Sequence, residues 1–174
     1  MLPDGKVFGG APANFAYHSC QLGANSSVIS AVGNDDLGYE VIDRLKHLGI
    51  EDYLSISDKP TGTVTVKLVE GIPSYIIHEQ VAWDYIDLDR DSKKALMQTD
   101  AICFGSLAQR NETSRESIWH ALEMVPDNCL TLFDINLRQN FYSKDTIEKS
   151  LHFASVLKLN DEELEIIAEK FRLC

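Results

Sequence analysis

No two cysteines of this chain stand in a Cys-x-x-Cys spacing; the four present, Cys20, Cys103, Cys129 and Cys174, lie far apart. In a chain of this size that pattern reads as reduced thiols of a cytoplasmic protein, not as a disulfide framework. The five histidines are scattered without a His-Glu-x-x-His pair, so no structural zinc site is expected. Neither a P-loop nor a Gly-x-Gly-x-x-Gly fingerprint occurs, which disfavours a Walker nucleotide site and an ordinary dinucleotide site. Basic residues are scarce: 16 Lys+Arg face 27 Asp+Glu, a formal net charge of −11. That balance argues against nucleic acid or an anionic membrane as the main partner. It leaves phosphorylated substrates open, because a few local cations suffice to bind them. No apolar run approaches the roughly 20 residues that cross a bilayer, and the start shows no secretory pattern.

The chain does have the composition of an ordinary globular protein, 174 residues with 44% hydrophobic and 25% charged side chains. Its length fits one domain, or a domain with a small appendage. Short apolar runs at residues 28–32, 101–104, 130–133 and 156–159 are bounded by polar residues or glycine. They read as strands buried on both faces of a parallel sheet. Between them lie stretches of helical period at 37–48, ending at Gly49, and at 114–124 and 161–171. The alternation of strand and helix predicts an α/β layer. One segment breaks it: residues 63–69 alternate with period two, Glu70-Gly71-Ile72-Pro73 turns, and 74–78 runs on. This is a β-hairpin signal, read either as an antiparallel flap inserted into the body or as a plain edge hairpin.

Ligands of open α/β sheets bind beyond the carboxyl ends of the strands. The proposed strands are followed there by Gly33-Asn34-Asp35-Asp36, by Gly105-Ser106 with Gln109 and Arg110, by Asp134-Ile135-Asn136-Leu137-Arg138, and by Asn160-Asp161-Glu162-Glu163. Any one of these reads as ordinary loop and capping chemistry, and Asn160 with Glu163 three later matches a capping box. Asp134, Asn136 and Arg138 share one face if their strand continues, and a guanidinium there suits phosphate. Near the start, Gly9 and Gly10 permit unusual backbone angles and close ligand approach. Pro12 suits a first helical turn, and Asn14 projects an amide from it that suits sugar hydroxyls.

Together these stretches resemble the ribokinase-like carbohydrate kinases of the phosphofructokinase B type, and within them the bacterial-type fructokinases. The matching segments are GGAPANFAYH from Gly9, GNDDLG from Gly33, PTGTVTV from Pro60, VAWDYI from Val81, CFGSLAQR from Cys103, FDINLR from Phe133 and LKLNDEE from Leu157. They occur in the family's order over essentially the whole chain. The resemblance implies a Rossmann-like, largely parallel sheet with flanking helices and a small antiparallel β lid, here about residues 61–84, in one partial kinase domain spanning 1–174. It implies transfer of the ATP γ-phosphoryl to a sugar hydroxyl, with ATP and magnesium as cofactors. Gly9 and Gly10 map to the family's hinge and Asn14 to its sugar-binding asparagine. Asn160 and Glu163 map to its Asn-x-x-Glu motif, which organises magnesium through water and helps place the phosphates. Arg138 is similar to an arginine near the sugar or the transferred phosphate. A homodimer through the lid is a further expectation, resting on the apolar face of residues 63–69.

The family's catalytic Asp lies in a Gly-Ala-Gly-Asp motif, and no such sequence occurs here. The family's first strand and its sugar-binding Asp are also missing, since the chain opens on Met1-Leu2-Pro3-Asp4. The expectation is therefore a fold truncated at both ends, with no catalytic residue in this chain and the activity residing in a longer parent. D-fructose is the expected substrate, with 2-keto-3-deoxygluconate or a nucleoside as alternatives. A non-catalytic sugar-binding or regulatory module and an inactive kinase remnant are the readings from other classes.

Overall fold

The computed structural model describes residues 7–69 and 72–172. The chain divides into two compact units, Met1–Ala82 and Trp83–Cys174.

In the first unit the order is α1 (Ala11–Gln21), β1 (Ser27–Gly33), α2 (Asp36–His47), β2 (Glu51–Ser57) and the hairpin β3 (Val64–Val69) and β4 (Ile72–Ile77). β1 and β2 pair in parallel, with Ser27 opposite Glu51 and Gly33 opposite Ser57. Helix α2 begins at Asp35, whose carboxylate accepts from the Gly38 N–H at 2.8 Å. Arg44, Lys46 and His47 lie in its last turn, where positive charge complements the helix dipole. It stops because Gly49 adopts φ 71. The N–H groups of Gly49 and Ile50 then donate back to the carbonyls of Lys46 and Leu45, the Schellman arrangement. Leu45 and Ile50, the two ends of that motif, are buried with Ala16 and Val28 and form the core of this unit.

The second unit runs α3 (Arg90–Leu96), β5 (Ala101–Gly105), α4 (Glu112–Met124), β6 (Leu130–Asp134), α5 (Lys144–Phe153), β7 (Val156–Lys158) and α6 (Asp161–Phe171). Its strands form a parallel sheet in the order β5-β6-β7. Phe104 and Phe133 stack across β5 and β6 with ring centroids 5.1 Å apart. They pack with Leu122, Ile135, Ile147 and Ile167, drawn from the strands and from helices α4, α5 and α6. Among the described residues, no helix is long and apolar enough to cross a membrane.

The α/β class, the parallel strands and the small antiparallel sheet agree with the sequence reading. Several details differ, among them helices α3 and α5, which the sequence reading did not mark. Strand β2 was not expected, because Glu51-Asp52-Tyr53-Leu54-Ser55-Ile56-Ser57 is too polar to read as a buried run. Residues 156–158 do form a strand, but an exposed one, with β6 as its sole neighbour in the sheet order among the described residues. Pro73 is not a turn residue: it lies in β4 opposite Leu68. Glu70 and Gly71 of the expected turn, and Met1 to Asp4, lie outside the described residues.

Candidate functional site

In the first unit Gly10 is the N-cap of α1, at φ 112 and ψ 145, a conformation that disfavours any side chain. A Cβ added at Gly9 or Gly10 meets nothing within 4 Å, so conformation and not crowding explains glycine at position 10. Among the described residues no side chain caps this helix, Pro12 lies in its first turn, and the Asn14 N–H donates to the Gly10 carbonyl at 3.0 Å. The Asn14 side chain is exposed on that first turn. A glycine at positive φ, a proline in the first turn and an exposed amide side chain thus follow one another at the start of α1.

In the second unit, the carboxyl ends of β6 and β7 gather the other expected residues. Asp134 closes β6 and accepts from the Lys158 ammonium at 2.8 Å, a bridge across the parallel pair. That hydrogen bond pushes the Lys158 ammonium above its ordinary value, against the opposing effect of burial, with Asp134 and Glu163 adding negative field and Arg138 opposing it. The sequence reading singled out Asp134 but not Lys158. Its signal was the register alone, since Asp134 stands directly opposite Lys158.

The strand does not continue through Asn136 and Arg138. β6 stops at Asp134 and Asn136 takes φ 39, so the expected Asp-x-Asn-x-Arg face is broken into a turn. Gln139 is left-handed as well, at φ 48. Arg138 is exposed, with one guanidinium N–H donating to the Leu137 carbonyl at 2.9 Å.

Asn160 and Glu163 form a full capping box at the start of α6. The Asn160 Oδ1 accepts from the Glu163 N–H at 2.8 Å, and the Glu163 Oε2 accepts from the Asn160 N–H at 2.9 Å. The second carboxylate oxygen, Oε1, accepts from the Leu137 N–H at 2.9 Å. Glu163 is only 5% exposed. Each of its oxygens thus already holds a backbone donor, and direct ligation of a divalent cation does not fit this arrangement. Among the described residues, no group of three or more His, Cys, Asp or Glu side chains is placed to hold a metal ion.

Other polar residues at strand ends hold the fold. Asp35 Oδ2 accepts from the Thr61 N–H at 2.8 Å and Oδ1 from its hydroxyl at 2.6 Å, while the Thr61 Oγ1 accepts from the Gly33 N–H. These bonds hold the Asp35 carboxyl below its ordinary value, the Thr61 hydroxyl most of all. Ser106 donates to the Ile135 carbonyl, and Gln109 bonds the Gly105 carbonyl, Ser150 and the Trp119 indole. Arg110 meets Asp84 through two N–H groups at 2.7 and 2.8 Å, with its guanidinium 4.0 Å from the Trp83 ring centre and 4.7 Å from that of Phe141. Cys103 is protonated at neutral pH, its thiol pushed up to about 11 chiefly by burial.

Residues 4–172 match the pfkB family carbohydrate kinase profile. The chain belongs to the pfkB carbohydrate kinase family. An uncharacterized sugar kinase of Pyrococcus horikoshii is 30% identical over 175 residues, which cover 94% of this chain and 56% of that protein. Its crystal structure superposes with a TM-score of 0.84, covering 98% of this chain and 60% of the other, and it has also been solved with ATP. Fructokinase of Salmonella typhimurium is 30% identical over 170 residues, 92% of this chain and 55% of its own. Fructokinase from Vibrio cholerae O395 bound to fructose, ADP and a calcium ion is 25% identical, with a TM-score of 0.77 over 92% of this chain and 55% of that one. The chain therefore spans about half the length of the curated relatives it matches. Within the family, the residues expected to act divide between the two units: Gly9, Gly10 and Asn14 in the first, Arg138, Asn160 and Glu163 in the second.

Proposed function

We propose that this chain is part of an ATP-dependent sugar kinase whose acceptor is a hydroxyl of D-fructose. The observation that supports this most directly lies at the carboxyl ends of β6 and β7. Two cationic side chains, Lys158 and Arg138, share a small region with the Asn160–Glu163 box. The chain's family includes proteins named fructokinase. Phosphoryl transfer needs positioning and charge neutralisation more than covalent chemistry; in this reading the Asn160–Glu163 box contributes to the first and Arg138 to the second. In this reading Asn14 hydrogen-bonds a sugar hydroxyl, and Gly9 and Gly10 let the backbone at the α1 start adjust around it. Arg138 meets an anionic oxygen of the sugar or of the transferred phosphate. Asn160 and Glu163 fix the start of α6 and help to place the phosphates. Magnesium would neutralise charge on the phosphate oxygens, and Asn160 and Glu163 would organise it through water. The β3–β4 hairpin is the lid, and cytoplasmic sugar metabolism is the setting.

The sequence contains no Gly-Ala-Gly-Asp and hence no assigned general base. A missing general base costs about 10²–10⁴ in rate, and the anion hole of the same motif is missing with it, so the 174-residue chain alone is expected to give no measurable fructose-dependent turnover. The test is to sequence the DNA flanking the reading frame and assay the protein it encodes. An in-frame Gly-Ala-Gly-Asp downstream, with ADP formation that depends on fructose, supports the proposal. Preference for 2-keto-3-deoxygluconate overturns the substrate. Fructose binding without ATP turnover by the complete product favours a sugar-binding module instead.

A further inference from the structure

The Asn160–Glu163 box needs only one carboxylate oxygen to complete the α6 cap, and Glu163 uses Oε2 for that purpose. Its other oxygen crosses to a different element and takes the Leu137 N–H at 2.9 Å, a residue 26 positions away. Helix capping does not account for that second bond. We propose that Glu163 is a positioning residue for the turn at residues 135–139, setting the backbone that presents Arg138. For its consequence on ligand, this rests on the anion-binding role given to Arg138 above.

The turn needs such a tie. Asn136 and Gln139 both occupy the left-handed region, unfavourable for residues with a Cβ, and such conformations persist where surrounding bonds over-determine them. Before the turn, Ile135 is held on both sides: its N–H donates to the Lys158 carbonyl and its carbonyl accepts from the Ser106 hydroxyl. After it, the Phe141 N–H donates to the Arg138 carbonyl at 3.1 Å. Between the two left-handed residues, the Leu137 N–H goes to Glu163 and the Leu137 carbonyl accepts from the Arg138 guanidinium at 2.9 Å. One buried carboxylate thus fixes the peptide next to which the arginine side chain rests. The start of α6 and the Arg138 turn are set together, and a shift of one moves the other.

The test is amide hydrogen exchange and NMR on the 174-residue chain, comparing Glu163→Ala with Asn160→Ala. Both variants weaken the α6 cap, but only the first frees Leu137. Exchange at the Leu137 amide is expected to rise about tenfold or more in E163A, as for loss of a bond to a charged acceptor, and to stay within about twofold in N160A. The coupling that reports the left-handed φ of Asn136 should be lost in E163A alone. Equal exposure of Leu137 in the two variants, or a retained Asn136 coupling in E163A, overturns the proposal. Should E163A not fold, the unmodified chain decides: a through-bond coupling between the Leu137 nitrogen and the Glu163 side-chain carboxyl carbon is expected, and its absence overturns the inference. Titration with inorganic phosphate, read at the Arg138 Nε–H, separates this inference from the function proposed above. A response in the unmodified chain that weakens in E163A supports both. No response in the unmodified chain removes the anion role of Arg138, while the amide data still decide the positioning role.

Discussion

The Asp35 carboxylate caps α2 through the Gly38 N–H and anchors Thr61 through both its N–H and its hydroxyl. Two glycines make room for this. A Cβ on Gly38 would lie 2.2 Å from the Gly33 carbonyl oxygen, and one on Gly33 would lie 2.6 Å from the Thr61 nitrogen. Both are backbone atoms, which have no rotamer to escape into. Gly38→Ala is therefore expected to destabilise the chain by about 3 kcal/mol, at the upper end of overpacking, and a urea titration with an unchanged slope checks it. The pH dependence follows from the direction of the Asp35 shift. Native hydrogen bonds hold this carboxyl below the ordinary 3.8, so its contribution is complete above the unfolded-state value and fades as pH falls through the lower native one. Asp35→Asn should lower Tm at neutral pH, and the gap from the unmodified chain should narrow as pH falls below about 5 and on through 3.8. A constant gap across that range would show that the charge of Asp35 contributes nothing. Residue-scale chemistry was legible in the sequence where partners are close in the chain: Asn160 and Glu163 at i, i+3 read as a capping box and form one. Asp35 with Thr61 and Glu163 with Leu137 were not legible, because each pair is 26 residues apart and no spacing rule joins them.

At the scale of elements, the signals that worked were periodicity and punctuation. Alternation at 63–69 marked the hairpin, and Gly49 marked the end of α2. What failed were inferences that needed a neighbour. β2 carries too many polar residues to look buried, yet it pairs with β1 along its whole length. The expected Asp-x-Asn-x-Arg face ended when the chain turned at Asn136, a backbone choice supported from outside the motif. The short turn Ala82–Asp84 and the segment leading into α4 are joined by the Asp84–Arg110 pair, with both side chains almost fully buried. Removing the carboxylate takes the counter-charge away from a buried guanidinium, so Asp84→Asn is expected to cost about 3–5 kcal/mol. Replacing both by apolar residues of similar volume should cost much less, and a double-mutant cycle by thermal melting reads the difference. The hairpin carries its own expectation. Val66 and Tyr75 stand directly opposite each other and are 41% and 54% exposed, with Val64 two residues along on the same face. If this face joins two copies, Val66→Lys should shift a dimer to monomer in sedimentation of the longer protein while leaving its Tm nearly unchanged.

For the molecule as a whole, the question is what an α/β chain of this length leaves uncovered. β7 has all three of its residues exposed and, among the described residues, β6 as its one partner in the sheet order. Val156 and Leu157 are 38% and 40% exposed there, and α6 leaves Leu164 and Ile166 exposed. An open strand edge flanked by apolar side chains is a template for pairing with another chain. The acidic net charge of −11 opposes association at low salt, but a Debye length of about 8 Å at physiological ionic strength screens most of that repulsion. The 174-residue chain is therefore expected to self-associate, more so as salt rises, and light scattering against concentration and sodium chloride checks this. Val156→Lys places a charge on the open edge, a common natural device against edge pairing. At a largely exposed position it should change stability by about 0.5 kcal/mol or less while suppressing the scattering. If association persists unchanged in V156K and vanishes in Val66→Lys, the hairpin and not the β7 edge is the surface through which the chain associates.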